Sequence, residues 1–309
     1  KRTPDHDDHD DHDDDHDDDH GHHGPTDHDH LRTMTTGVET DRNRALLAWY
    51  RERRRSLPWR DRVDPYAILV SEVMLQQTQV ARVVPAYERF LDRFPTVGVL
   101  AEAPLVAVLA AWSGLGYNSR ARRLREAARV VVVEGWPTTP EGLRRLPGVG
   151  PYTAAAVASL AFGVRVPAID TNVRRVLSRW HGEPLDGPGL RAAAEAALDD
   201  DAGTWNQAMM DLGATVCRAR RPDCGPCPVT PWCAGPDGYR PPRPQPRFEG
   251  SARQLRGALV RSLVRCPASF RDLTRETGFP TVEVELALED LVAEGLVVRD
   301  PDGTYRLGD

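Results

Sequence analysis

Apolar residues return at helical spacing through most of this chain. Ala45, Leu46, Trp49 and Tyr50 recur among arginines over residues 41–55. The run Leu57-Pro58-Trp59-Arg60 ends that helix, and Asp64-Pro65-Tyr66 opens the next with proline at its first position. This second helix carries Ile68, Leu69, Glu72, Val73 and Leu75 before giving way to Gln76-Gln77-Thr78-Gln79. Further helical segments are predicted at about 81–93, 104–112, 119–134, 140–146, 151–162, 171–180, 188–199 and 204–216. Strand-like alternation is nearly absent, so the body reads as all-α. Beyond a Pro/Arg-rich stretch at 235–250, helices at about 252–265, 269–277 and 281–294 precede two short strands at 296–299 and 304–307. Three helices and a hairpin outline a small winged-helix-like module. Its third helix is acidic, which disfavours insertion into a DNA groove and favours docking or packing. Cys266 in this module reads as a buried hydrophobe.

Composition changes this picture in three places. A chain of 309 residues can build two or three domains. The net charge of −6 hides a division: thirteen aspartates against Lys1 and Arg2 put −11 on residues 1–30, leaving +5 on the rest. The body is therefore mildly basic, as suits a nucleic-acid binder. The Asp/His tract itself cannot bury a core and reads as a solvated leader, able at most to hold divalent metal loosely. Lys1 is the only lysine, which excludes a lysine Schiff base within the folded body. No apolar run approaches the ~18 residues of a membrane span. No h-region of a signal peptide opens the chain, so a cytoplasmic location without membrane contact is expected.

The candidate chemistry centres on Leu146–Asn172, LPGVGPYTAAAVASLAFGVRVPAIDTN. Its Pro-Gly-x-Gly turn, with Gly148 and Gly150, directs backbone amides outward at a helix N-terminus and so forms an anion-binding nest. A lone carboxylate, Asp170, follows 20 residues after Gly150. The plainer reading of Asp170 is a helix N-cap, and that of Glu72 is a surface acid on its helix. Four of the five cysteines, Cys217, Cys224, Cys227 and Cys233, fall within 17 residues. In a reducing compartment that spacing suits an iron–sulfur cluster or a zinc ion rather than disulfides.

Leu146–Asn172 resembles the helix-hairpin-helix motif and following aspartate of the DNA glycosylase superfamily, and the cysteine spacing is similar to its endonuclease III-like iron–sulfur branch. Ser71–Val80, Asn206–Gly213, Leu57–Arg60 and Gly114–Tyr117 extend the resemblance, favouring the MutY-type adenine glycosylases over about residues 40–235. The resemblance implies a two-lobed all-α fold. A six-helix barrel at 63–165 would face a lobe made from 37–62 and 166–235, with a leader at 1–36, a linker at 236–250 and the winged module at 251–309. It implies a [4Fe–4S] cluster on the four cysteines, and a monomer acting on double-stranded DNA that carries a mismatched or oxidised base pair.

The resemblance also assigns roles. Glu72 would protonate the departing base, Asp170 would stabilise the sugar cation, and Tyr152 and Asn172 would lie against the sugar. Gln77, Thr78, Leu115 and Tyr117 would fill the gap left by the flipped base, while Gly148 and Gly150 hold a phosphate. Tyr152 stands where the lyases carry lysine, implying a monofunctional enzyme. The chemistry sets a requirement of its own. An ordinary Glu is only roughly 0.2% protonated at pH 7, so burial must raise Glu72 for it to act as an acid. Asp170 must stay ionised, helped by Thr171, Asn172 or backbone amides. Residues 251–309 are too short for the Nudix-like domain that such enzymes commonly use to read 8-oxoguanine. A thymine or uracil mismatch glycosylase on the same scaffold, and a non-catalytic redox-sensing DNA binder, are the alternatives.

Overall fold

The structure, a computed structural model, describes residues 27–241 and 247–309, with side chains from Thr40 onward. Most of the expected leader, residues 1–26, and part of the linker lie outside the described residues. The chain divides into two units, Lys1–Val38 and Glu39–Asp309. Helix α1 (Asp27–Arg53) starts within the first, earlier than the apolar pattern predicts. All other described elements belong to the second.

Local signals start and stop the helices largely where expected. Helix α2 (Pro65–Leu75) is capped by Asp64, whose carboxylate accepts from the amides of Tyr66 and Ala67, and Pro65 occupies its first turn. Every residue from Tyr66 to Met74 is buried, as befits a helix that is apolar all round. Helices α3 (Val80–Arg93), α4 (Val97–Glu102), α5 (Leu105–Ala111), α6 (Ser119–Glu134), α7 (Pro140–Leu143) and α8 (Pro151–Phe162) complete a barrel around it. The sequence pattern does not predict α4. It is a six-residue helix containing Gly98, and Thr96 caps it through the Val99 amide. Helix α7 ends at Leu143, short of the expected 146.

A second core is gathered from distant parts of the chain. Leu46 and Tyr50 of α1 pack with α9 (Thr171–His181), α10 (Gly187–Ala197) and α11 (Ala202–Thr215). Buried Asn43 fastens this junction: its side-chain amide donates to Ala197 O at 2.9 Å and its oxygen accepts from the Trp205 indole at 3.2 Å. Where the lobes meet, Ala155, Ala156 and Ala168 are small enough for α8 to approach α11.

The C-terminal module consists of α12 (Ala252–Arg265), α13 (Phe270–Thr277), α14 (Thr281–Ala293) and three strands. Strands β1 (Ala268–Ser269), β2 (Val297–Arg299) and β3 (Thr304–Leu307) form an antiparallel sheet ordered β1-β3-β2, with Val298 opposite Arg306. The two-residue β1 is not anticipated by the sequence pattern. Helix α12 packs against α5, and Leu255, Leu259, Leu263 and Leu288 share one continuous apolar core with the barrel. The expectation for Cys266 is corrected: it is exposed. It lies one residue past α12, where the backbone turns extended and leaves the helix's apolar stripe.

Candidate active site

Glu72 is 5% exposed, on a helix that is buried on all sides from Tyr66 to Met74. Its Oε2 finds no hydrogen-bond partner. Burial pushes its carboxyl up to about 7, against smaller opposing effects from the Tyr152 hydroxyl and the Arg60 charge. The surface-acid reading of this residue therefore fails. Tyr152, in the first turn of α8, interacts with Glu72, and burial raises its phenol. Its hydroxyl also approaches Met210 Sδ at 3.5 Å.

Asp170 reaches the same region from the other lobe and is also the N-cap of α9. Its Oδ1 accepts from the amides of Asn172 at 2.8 Å and Val173 at 2.7 Å, and its Oδ2 accepts from Asn172 Nδ2 at 2.7 Å. These bonds and the Arg175 charge favour the ionised form, yet burial outweighs them and raises the carboxyl above its ordinary value. The contrast with Glu72 is one of donors: Asp170 accepts three hydrogen bonds, whereas an oxygen of Glu72 accepts none.

The loop that carries Asp170 is set by side chains which sequence motifs mark without explaining. Asn206, wholly buried, accepts from the Ala168 amide at 2.8 Å and donates to Ser159 Oγ and Val166 O at 3.0 Å. Arg175 donates to Asn172 Oδ1, Gly213 O and Cys217 O, each at 2.7 Å, linking the aspartate's neighbour to the first cysteine. Gly213 allows this contact: a Cβ there would lie 2.6 Å from Asn172 Cβ and 3.2 Å from its Cα. A Gly213→Ala substitution gains about 1 kcal/mol of helix propensity but meets an overpacking cost of about 1–3 kcal/mol. It is expected to displace Asn172 and to lower folding stability by up to about 2 kcal/mol, read as a fall in the urea midpoint. An unchanged midpoint would show that the Gly213–Asn172 contact is not tight.

A cluster not anticipated from the sequence lies behind Glu72. Asp211, fully buried, accepts from Arg55 Nε at 2.9 Å and Nη2 at 2.7 Å, and also pairs with Arg60. Arg60 is thereby fixed where its charge acts on both Glu72 and Tyr152.

The expected DNA-gripping residues lie on turns. Gln77 and Tyr117 adopt left-handed backbone, φ 57° and 48°, and both are exposed. The Thr78 hydroxyl is 3.4 Å from Leu115 O. Leu115, expected to enter the duplex, is 5% exposed in the free protein, held within the barrel core. Gly148 has φ 78°, and a Cβ there would come within 2.9 Å of Arg123 Cβ, so the hairpin turn requires glycine. Among the described residues the amides of Gly148 and Gly150 find no acceptor in the protein. They stand open to an anion at the start of α8.

The four cysteines ring a cavity of about 200 Å³ walled by Trp180, Leu212, Val216 and Val229. Among the described residues no group of three or more His, Cys, Asp or Glu closes on a single metal ion. Four soft donors around a void fit a polynuclear cluster better than one tetrahedral zinc. Arg179 donates to Cys217 Sγ at 3.1 Å and to the carbonyls of Arg218 and Ala219. The loop closes later than the expected linker boundary, because Pro236–Gly238 forms a turn against α9 and Tyr239 lies beneath Arg175 and Arg179.

Comparison with known proteins agrees with this arrangement. Residues 70–194 match the HhH-GPD superfamily of base excision DNA repair proteins. The chain is 42% identical over 280 residues to the adenine DNA glycosylase of Mycobacterium tuberculosis, covering 85% of this chain and 92% of that protein. It is 46% identical over 208 residues to the Homo sapiens adenine DNA glycosylase, covering 61% of this chain and 38% of the human protein. A thermostable thymine-DNA glycosylase superposes with TM-score 0.62 at 30% identity, over 66% of this chain and 99% of that one. Endonuclease III trapped on DNA shares the fold, with TM-score 0.54 at 24% identity, over 68% of this chain and 96% of that one. By sequence and by fold, this chain belongs to the adenine DNA glycosylase family of the HhH-GPD superfamily of base excision DNA repair proteins.

Proposed function

We propose that this protein hydrolyses the N-glycosidic bond of adenine mispaired with 8-oxoguanine or guanine in duplex DNA, acting as a monomer. The observation that carries this reading is Glu72, a fully enclosed acid with a pKa of about 7 beside Tyr152 and in the field of Asp170. A purine leaves readily only when a ring nitrogen is protonated, and an acid poised near neutrality can supply that proton. Once the base is extruded, Glu72 protonates it and the glycosidic bond lengthens. The sugar acquires oxocarbenium character, which the Asp170 carboxylate stabilises until a water adds to C1′ and gives up a proton, leaving the free base and an abasic sugar, as in the two-carboxylate division of glycoside hydrolysis. Tyr152 and Asn172 line the sugar's path, and Asn172 also keeps Asp170 oriented.

The open amides at Gly148 and Gly150 would hold a backbone phosphate, with Gln77, Thr78, Leu115 and Tyr117 occupying the vacated stack. Cys217, Cys224, Cys227 and Cys233 would hold a [4Fe–4S] cluster. Its chemistry when bound is that of a structural centre fixing the loop against α9. No lysine lies within residues 2–309, which supports an abasic-site product with little or no strand cleavage.

The test is base release from four duplexes carrying A:8-oxoguanine, A:G, T:G and U:G, with nicking read before and after piperidine. Adenine release whose strand breaks depend on piperidine is the expected result. Thymine release without adenine release would assign the chain the activity named for its thymine-DNA glycosylase neighbour. Strand breaks before piperidine would refute the monofunctional assignment.

A further inference from the structure

Arg120, in the first turn of α6, is 9% exposed and makes no ion pair among the described residues. Its guanidinium serves backbone oxygens from two segments far apart in the chain. Nη1 donates to Val73 O at 2.7 Å, Met74 O at 3.0 Å and Gln76 O. Nη2 donates to Leu115 O at 3.2 Å, Gly116 O at 3.0 Å and the Thr78 hydroxyl at 3.1 Å. The same group lies over the rings of Trp112 and Tyr117, 5.3 Å and 5.5 Å from their centroids. Burial lowers its pKa only to about 10, so it remains a cation at neutral pH.

These two segments share a second property. Among the described residues only three non-glycines have positive φ, and Gln77 and Tyr117 are two of them. Left-handed backbone at such residues persists only where the surroundings over-determine it. Arg120 provides that constraint on both sides: its acceptors are the carbonyls just before Gln77 and just before Tyr117. The resulting turns point an amide and a phenol outward while their backbones stay fixed to one rigid plane. Val73 and Met74 are the two residues directly after Glu72, so the same plane fixes the distance from these turns to the acid.

We propose that Arg120 is a positioning residue that locks the Gln77 turn and the Tyr117 turn into a single rigid wedge, registered against Glu72, for displacing a paired base. The proposal rests on the glycosylase reading above and goes beyond it. It assigns Arg120 to extrusion of the base and not to the bond-breaking step. Lysine cannot replace it, because an ammonium point charge lacks the planar fork that spans both segments.

The test uses full-length Arg120→Lys protein and two duplexes. In one, adenine lies opposite 8-oxoguanine and must be extruded from a pair; in the other, it lies opposite an abasic-site analogue and is already unpaired. Single-turnover release from the first should fall by about 100-fold, and from the second by no more than about threefold, since a misplaced positioning group harms only the step it serves. Equal losses on both, or no loss on either, would overturn the proposal. Fluorescence of 2-aminopurine at the target position, read in Glu72→Gln backgrounds so that no base leaves, should rise on binding with Arg120 and fail to rise with Lys. That signal does not need base release. A parent protein that unstacks 2-aminopurine yet releases no adenine would sink the functional reading and leave the clamp standing. An equal rise with Arg and Lys would overturn the clamp alone. Should Arg120→Lys fail to fold, Arg120→Gln keeps a planar donor that reaches only one of the two segments and should give the same selectivity on the two duplexes; a non-selective loss there counts against the proposal equally.

Discussion

A Glu72→Gln protein is expected to bind mismatched duplex as the parent does and to release base about 10²–10⁴-fold more slowly, the usual contribution of a general acid. The pH dependence follows from the same residue. Glu72 acts only while protonated, and its carboxyl is pushed up to about 7. The parental rate should therefore fall about tenfold per pH unit on the alkaline side of that value. Stability moves in the same window. Between the ordinary value of 4.5 and about 7 the folded state retains a proton that the unfolded state has released. Folding stability thus declines as pH rises through this range, reaching a penalty of roughly 3 kcal/mol above it. Glutamine cannot ionise and should remove that decline, so the variant should melt higher than the parent at pH 8 and equally at pH 4.5. A parental release rate in the glutamine variant would remove Glu72 from the mechanism.

Asp170→Asn should separate charge from architecture. Asparagine caps helices about as well as aspartate, so α9 should keep its start and stability should change by less than about 1 kcal/mol. The oxygen facing Asn172 Nδ2, however, becomes an amide if Oδ1 keeps the two backbone donors, and the negative charge beside the sugar is lost. Release should slow by about 10²–10³-fold, as when preorganised charge stabilisation is removed. Because burial raises the Asp170 carboxyl, the parental rate should also decline on the acid side, starting above the usual aspartate range. Activity is lost there as pH falls and the carboxylate takes up a proton. Asparagine should abolish that acid limb and leave the alkaline limb set by Glu72. An acid limb unchanged in the variant would mean that another group titrates there.

Local chemistry announces much of this site. Asp64-Pro65 and Gly150-Pro151 carry their own start signals, so α2 and α8 begin where those residues place them. The cysteine register, the glycine hairpin and Asp170 are legible because each acts over a few positions. What escaped the sequence pattern depends on partners distant in the chain. Asp211 finds Arg60 across 151 positions and Arg120 finds Val73 across 47, and no periodicity encodes either. Glu72 is legible as a candidate, and its chemistry already demands that burial raise it, as it does; which helices bury α2 on every side is not legible, since they come from elsewhere in the chain. Cys266 failed for the opposite reason: its residue type favours burial, but the backbone at the end of α12 turns it outward.

The apolar core that passes without a break from Trp59 to Leu307 bears on how damage to the coding sequence would be felt. A premature stop just before β3 would leave every residue of the proposed chemistry translated. It would also strip Tyr305 and Leu307 from the packing that supports α12 and, through it, α5. Such an allele would present as loss of the protein rather than loss of its chemistry, with scarce antigen and near-normal turnover in whatever fraction survives. Missense changes along α12 belong to the same class, and genetic complementation scored by abundance would sort them from lesions at Glu72 or Asp170.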